Sequence, residues 1–114
     1  MSNRTISLYP ASAKELMALG KRLKDARLRR RFSMETVSTR ADISRPTLYK
    51  IEHGDPSVSI GFYVHVLRVL GLLDDLASIG KEDALGRRLQ DESLSPRKRA
   101  PRRKPSTEDG DEKK

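Results

Sequence analysis

Apolar side chains recur every three or four positions through most of residues 1–94, which is the spacing of amphipathic α-helices. The longest stripe predicts a first helix that continues to about residue 30, and it consists of Leu16, Leu19, Leu23 and Ala26. Ser12 with Glu15 three residues later has the pattern of a capping box, so we expect this helix to begin at Ser12. Residues 3–9 alternate weakly, and we interpret them as an extended arm that ends at Pro10.

Serine and glycine residues delimit four further short helices. Ser33, Ser44 and Ser59 each precede an apolar-periodic stretch, where a serine side chain caps the first backbone amides. Gly54 and Gly71 follow such stretches and are typical of helix ends. The pattern therefore predicts helices over residues 34–40, 45–53, 60–70 and 72–79.

The C-terminal part changes in composition. Residues 81–92 carry Leu85 and Leu89 at a helical spacing and predict a sixth, short helix. From Ser95 on, three prolines stand among Arg and Lys, and we expect no regular structure there. The fold class predicted is all-α, a five-helix domain with a short extra helix and a disordered basic tail. The predicted boundaries are an arm over 1–11, a domain over 12–79, a helical extension over 80–94 and a tail over 95–114.

The chain is strongly basic, and its charge is unevenly distributed. It contains 24 Lys and Arg against 16 Asp and Glu, for a formal net charge of +8. Residues 1–50 carry 12 basic and 4 acidic residues, whereas residues 51–94 carry 4 and 8. Residues 21–31 alone hold seven cations, a density that favours binding to a polyanion, most often nucleic acid, over an ordinary solvated helix face.

The residue inventory excludes several classes of protein. The absence of cysteine excludes disulfides, thiolate nucleophiles and cysteine-based zinc sites. No apolar run is long enough to cross a bilayer and residues 1–9 lack a signal-peptide core, so we expect a cytoplasmic protein without membrane contact. His53 and His65 are the only histidines, and no serine stands in a nucleophile-elbow motif. We therefore predict no enzymatic activity, no cofactor and no metal site.

The second and third predicted helices are joined by a three-residue turn, which is the spacing of a helix-turn-helix motif, here over residues 33–52. In such a motif the first helix crosses the phosphates and the second lies in the major groove. Leu48 and Ile51, with Ile43 before the helix, form the face expected to be buried. The opposite face is polar, and its candidates for base readout are Ser44, Arg45, Thr47, Tyr49 and Lys50.

These residues resemble the Cro/lambda-repressor type of helix-turn-helix, also called the xenobiotic-response-element family. The resemblance covers residues 19–73 and is carried by residues 19–23, Arg27, residues 32–37 and residues 43–54. Its most specific element is Ile51-Glu52-His53-Gly54 preceded by Arg27. In this family the matching Arg and Glu form a buried ion pair between the first and third helices. The resemblance therefore implies a lambda-repressor-like fold and a structural pair of Arg27 and Glu52.

The resemblance also implies how a double-stranded DNA operator would be bound. Arg45 is the first candidate for a bidentate contact to guanine, Lys50 is the second, and Thr47 is a candidate for a thymine methyl or a phosphate. Tyr49 is equally compatible with packing at the helix edge. Candidates for phosphate contacts are Ser33, Met34, Arg40, Arg29, Arg30 and Arg31.

Four positions depart from the family pattern, and the first of them is Ser38, which stands where a small Ala is usual. Met34 stands where Gln is usual, so only its backbone amide can reach a phosphate. Asp42 replaces the usual turn glycine, and aspartate tolerates the left-handed backbone that the turn requires. Pro46 replaces a residue that often contacts a base edge.

A lone helix-turn-helix reads only a few base pairs, and we expect a homodimer that spaces two half-sites. The predicted dimer face lies in the fourth and fifth helices, at Phe62, Tyr63, Val66 and Leu73. An interaction module that does not bind DNA is the alternative from another functional class. An acidic or apolar outer face of the third helix would favour it, and that face is instead polar and basic.

Two further segments resemble one branch of the family. Residues 6–16 are similar to the entry of HipB-like antitoxins, and residues 83–91 with the Pro/Arg-rich end are similar to regulators paired with HipA-type kinases. The resemblance implies a prokaryotic antitoxin that represses its own operon and binds a HipA-type kinase toxin. The alternative is a free-standing regulator or a phage-type repressor without a toxin partner.

Overall fold

The computed structural model describes residues 6–97, in which a non-helical segment over residues 6–9 precedes helices joined by short connections. Its helices are α1 (Pro10–Arg29), α2 (Met34–Ala41), α3 (Arg45–Glu52), α4 (Ile60–Leu70), α5 (Leu73–Ser78) and α6 (Ala84–Arg97). No strand occurs within residues 6–97, and the all-α prediction is confirmed. The chain divides into two compact units between Ile79 and Gly80. The tail from residue 98 on, for which disorder was predicted, lies outside the described residues.

The start of α1 differs from the prediction. Pro10 is its first residue, and Tyr9 before it has extended backbone and makes no side-chain capping bond. Proline suits this position because its ring presets the helical φ and the missing N–H would have had no partner there. Ser12 and Glu15 therefore lie inside the helix, and the predicted capping box is wrong.

The predicted bounds of α2 to α5 hold to within one residue at each end. Ser33 Oγ accepts a hydrogen bond from the Thr36 amide at 3.0 Å, and Ser44 Oγ accepts one from the Thr47 amide at 3.1 Å. Each bond satisfies an amide that the first turn leaves without a helical partner. Ser59 occupies the N-cap position of α4 as predicted, but it makes no side-chain capping bond.

The hydrophobic core lies between α1, α2, α3 and α4. Leu48 and Ile51 of α3 are completely buried, as their spacing predicted, and so is Val37 of α2. The other buried apolar residues are Leu23, Ala26, Ala41, Tyr63, Val66, Leu67 and Leu70. This core fixes α2 and α3 against α1 and α4, and it leaves one face of α3 exposed.

The second unit contains α6, whose bounds also differ from the prediction. The helix begins at Ala84 because Asp83 caps it: Asp83 Oδ1 accepts a hydrogen bond from the Gly86 amide at 3.0 Å. It continues to Arg97 and includes Pro96, so the prediction of no regular structure from residue 95 is wrong for residues 95–97. A proline in the last turn removes a single backbone hydrogen bond, which is a weaker restriction than the pattern suggested.

Candidate DNA interface

The turn between α2 and α3 depends on Asp42. Its backbone is left-handed, with φ 58° and ψ 45°. The amide of Asp42 donates to the Thr39 carbonyl at 3.2 Å, and the amide of Ile43 donates to the Ser38 carbonyl at 3.0 Å. These bonds close the end of α2 and reverse the chain into α3. The left-handed conformation expected of Asp42 is thus confirmed.

Arg27 and Glu52 join α1 to the end of α3. Arg27 Nε donates to Glu52 Oε2 at 2.7 Å and Arg27 Nη2 donates to Oε1 at 3.1 Å. Arg27 Nη1 also donates to the carbonyl oxygen of Phe32 at 3.1 Å. Both side chains are buried, at 7% exposure each. The bidentate geometry compensates each buried charge and fixes the orientation of α3 relative to α1.

The outer face of α3 is exposed and polar. Arg45, Tyr49 and Lys50 are all exposed, and Tyr49 retains 57% of its accessible surface. Ser44 and Thr47 are engaged with each other, because Ser44 Oγ donates to Thr47 Oγ1 at 2.9 Å and accepts from the Thr47 amide. The side chains free to reach into a groove are therefore the long ones at positions 45, 49 and 50.

The phosphate candidates lie around the junction of α1 and α2. Arg29, Arg30 and Arg31 are exposed, and Arg31 has a left-handed backbone with φ 58°. Arg30 Nη1 donates to the Ala26 carbonyl at 2.8 Å, which holds this side chain at the end of α1 and uses one of its five N–H donors. Ser33 is exposed at the start of α2, next to the half-buried Met34.

Arg40 belongs to the same surface. Its guanidinium lies over the ring of Phe32, 5.1 Å from the centroid. Phe32 packs against the core, so the cation–π contact brings Arg40 from the end of α2 back to the α1–α2 junction. Arg40 therefore lies close to the junction that carries Arg29, Arg30 and Arg31, although about ten positions separate it from them in the sequence.

A comparison with protein families identifies the domain. The family model described as a helix-turn-helix domain matches residues 18–78, which is more than half of the chain. The chain belongs to the helix-turn-helix domain family. No curated protein and no solved structure gives a significant match.

This helix-turn-helix domain makes the chain a DNA-binding transcriptional regulator of the Cro/lambda-repressor type. Domains of this family are typically non-enzymatic. Within residues 6–97, no helix is long and apolar enough to cross a membrane. The described residues likewise contain no cluster of three or more His, Cys, Asp or Glu that could hold a metal ion.

The predicted dimer face requires a correction. Tyr63 is 6% exposed and its hydroxyl donates to the Asp55 carbonyl at 2.9 Å, while Val66 is 1% exposed. Burial raises the pKa of Tyr63 to about 12. Both residues belong to the core of the helix-turn-helix domain, because α4 packs this side against α1 and α2, and they cannot form a dimer surface. Phe62 and Leu73 are exposed, as a dimer face requires.

Sequence reasoning missed His53, which immediately follows α3. Its ring stacks on Tyr49 with the centroids 4.0 Å apart and the planes tilted by 30°. Its Nδ1 lies 2.8 Å from the Tyr49 carbonyl oxygen. The signal was present in the sequence, since Arg45, Tyr49 and His53 are spaced by four residues and share one helix face.

The first unit also contains an open apolar groove with a volume of 820 Å³. It runs between α1, α4 and α5, and its lining includes Leu19, Val64 and Leu76. Ile6 and Leu8 of the N-terminal arm line it as well. Ile60 and Ile79 at its edge are 72% and 75% exposed, an unusual degree of exposure for isoleucine.

Proposed function

We propose that this helix-turn-helix domain is a sequence-specific repressor that reads its operator with α3. One observation carries the proposal: the inner face of α3 is completely buried while its outer face presents Arg45, Tyr49 and Lys50 to solvent. The serine cap at one end and the Arg27–Glu52 pair at the other hold the helix rigidly. A rigid helix with an exposed polar face is what base readout in the major groove requires.

The side chains divide into base readers and phosphate ligands. Arg45 donates a bidentate pair to guanine O6 and N7, and Lys50 contacts a neighbouring base. Tyr49 extends this face, whereas Ser44 and Thr47 contribute through the hydroxyl pair at the helix tip. The phosphate ligands are the backbone amides after Ser33, including that of Met34, together with Arg40, Arg29, Arg30 and Arg31.

The test separates these two groups. DNase footprinting on DNA upstream of the chain's own gene locates the operator, and fluorescence anisotropy then measures Kd for operator and random duplex. Arg45→Ala and Lys50→Ala should each weaken operator binding by about 1–3 kcal/mol and leave random-duplex binding nearly unchanged. Replacing Arg29, Arg30 and Arg31 with Ala should weaken both complexes equally and reduce the salt dependence.

Arg88→Ala is the matched control, because it removes an exposed arginine from α6, outside the proposed interface. It should leave operator specificity unchanged. If the α3 variants and the triple variant gave the same salt dependence and the same loss on both duplexes, the division into readers and phosphate ligands would be wrong.

We infer that the protein forms a homodimer. Phe62 and Leu73 are the two residues of the predicted dimer face that remain candidates for the interface. Their exposures are 42% and 43%, and both lie on the α4–α5 side of the domain. Replacing either with Asp should produce a monomer in light scattering and reduce operator affinity. A wild-type chain that is monomeric at micromolar concentration with full operator affinity would contradict this inference.

The apolar groove favours a protein partner, and we propose a HipA-type kinase toxin in that role. The HipB-like segment includes Ile6 and Leu8, both of which line the groove, and so does Ile79, the residue that follows α5. The charged residues that line the groove are Arg22 and Arg29 of α1 and Asp75 of α5, and because the cations outnumber the carboxylate, acidic side chains beside an apolar stripe on the partner would complement it. The same chain would then act as an autoregulating antitoxin of prokaryotic origin.

Co-purification with the product of the adjacent gene tests this role. Ile60→Asp and Ile79→Asp should abolish the complex, because they place charge in the groove at exposed positions that the fold tolerates. Arg45→Ala should leave it intact. An adjacent gene unrelated to kinases, or a product that co-purifies with none of these forms, favours the alternative of a free-standing regulator or phage-type repressor.

A further inference from the structure

His53 is held in one orientation at the end of α3. The stack on Tyr49 and the 2.8 Å approach of Nδ1 to the Tyr49 carbonyl oxygen fix the ring. A carbonyl oxygen can only accept, so Nδ1 carries a proton. The other ring nitrogen, Nε2, makes no hydrogen bond to any of the described residues. Nε2 is therefore the ring nitrogen that can form a hydrogen bond to a ligand.

The position of His53 relative to Arg45 matches the dimensions of DNA. His53 follows the last residue of α3 and stacks on Tyr49, and the eight positions from Arg45 to His53 correspond to about 12 Å at the helical rise. The major groove is itself about 12 Å wide. With Arg45 at the base edges, His53 is therefore carried to the wall of the groove, where the phosphates lie.

We infer that His53 is a phosphate ligand of the DNA complex and that its protonated form binds more tightly than its neutral form. The inference rests on the proposed use of α3 as the reading helix. In the neutral ring, with its proton on Nδ1, Nε2 is an acceptor and repels a phosphate oxygen. In the imidazolium, Nε2 donates a charge-assisted hydrogen bond to that oxygen. DNA affinity should consequently rise as the pH falls.

The charged groups around His53 are Glu52, which is paired with Arg27, together with Lys50 and Asp55. Hydrogen bonds from Ser57 hold the pKa of Asp55 below its usual 3.8, so this carboxylate remains ionised. The positive charge of Lys50 also contributes to the lowered pKa of Asp55. The side chains facing the hollow beside His53 from the arm and from α1 are uncharged, and they include Ser7, Ala13 and Met17.

The experiment measures Kd of the full-length chain for a fluorescein-labelled random-sequence duplex between pH 5 and 8, where imidazole titrates. Wild-type affinity should rise by roughly fivefold or more from pH 8 to pH 6, up to the limit of about a hundredfold that one linked proton allows over two pH units. The salt slope at pH 6 should be steeper than at pH 8 by about one phosphate contact, ~0.9 in log–log units.

Three variants isolate His53. His53→Gln should lose the pH dependence and keep the shallower slope at both pH values. His53→Arg should bind at least as tightly as the wild type does at pH 6, with little pH dependence. His65→Gln is the matched control, since it removes the other histidine, an exposed residue of α4, and it should behave like the wild type.

Wild-type pH dependence that survives in His53→Gln, or that disappears in His65→Gln, overturns the inference. A wild-type Kd that is independent of pH also overturns it, while leaving the proposed function intact. A chain that fails to bind the duplex at any pH contradicts both the inference and the proposed function. Circular dichroism of each variant checks that the fold is unchanged.

Discussion

Gly20 in the middle of α1 lies directly against the chain at Gly54, where α3 has just ended. A Cβ atom at position 20 would come within 2.6 Å of the Ile51 carbonyl oxygen and 2.7 Å of the Gly54 amide nitrogen. A Cβ atom at position 54 would come within 2.5 Å of the Cα of Met17, and Gly54 also has a positive φ of 71°. The two glycines therefore set the distance between α1 and the end of α3.

Gly20→Ala should destabilise the domain although alanine favours helices. The added methyl group meets backbone atoms that cannot rotate away, so α1 and α3 must separate, at a cost of about 1–3 kcal/mol. Gly61→Ala is the matched control in α4, because its Cβ would meet only the Ser59 hydroxyl at 3.9 Å. That variant should gain roughly 0.5–1 kcal/mol. Urea denaturation measures both, and equal effects of the same sign would contradict the close contact.

The second prediction concerns the buried ion pair of Arg27 and Glu52. Glu52→Ala leaves the Arg27 guanidinium buried without its carboxylate, and we expect a loss of about 3–5 kcal/mol in the free energy of unfolding. Replacing both residues, as Arg27→Met with Glu52→Leu, should cost less than Glu52→Ala alone, since no uncompensated charge remains. Asp25→Ala removes the exposed pair with Lys21 and should change stability by less than about 1 kcal/mol. Chemical denaturation of the three variants checks this order.

Ionisation of Tyr63 makes the free energy of unfolding depend on pH under alkaline conditions. Its pKa is raised by burial from 10.0 to about 12, because the core disfavours the phenolate. A group whose pKa is higher in the folded state contributes stability that is fully present below pH 10 and is lost as the pH rises through 12. Tyr63→Phe should remove this part of the decline, so the stability difference between wild type and variant should shrink between these pH values. A constant difference across that range would contradict it.

The sequence was most informative where a local rule determines the structure. The caps at Ser33 and Ser44 depend on residues three positions apart, and the bounds of α2 and α3 follow from them. The apolar spacing of Leu48 and Ile51 likewise identifies the buried face of α3. The pairing of Arg27 with Glu52 came from the family resemblance, since periodicity carries no information about contacts 25 positions apart.

The predictions that were wrong concern features that tertiary packing or a competing local rule determines. Ser12 with Glu15 satisfies the capping rule, yet Pro10 begins the helix earlier because it suits the first position. Tyr63 and Val66 are apolar residues of α4, and composition alone does not distinguish a core face from an interface. Only the packing of α4 against α1 and α2 assigns them to the core. The contact of Gly20 with Gly54 is tertiary, so no local pattern in the sequence indicates it.

Asp42 provides the last prediction, since the turn of the helix-turn-helix depends on its left-handed backbone. Asp42→Gly should keep or increase stability by up to about 1 kcal/mol, because glycine adopts a positive φ without a Cβ clash. Asp42→Ala should lose about 1–2 kcal/mol, because alanine has the clash and lacks the local hydrogen bonding of aspartate. Asp74→Ala is the matched control at an exposed helical position, and it should change stability little. Thermal unfolding of the three variants measures the effect.

If Asp42→Ala were as stable as Asp42→Gly, the φ of 58° would not be the constraint that shapes this turn. Operator affinity should follow the same order, because the turn sets the angle at which α2 presents α3 to the groove.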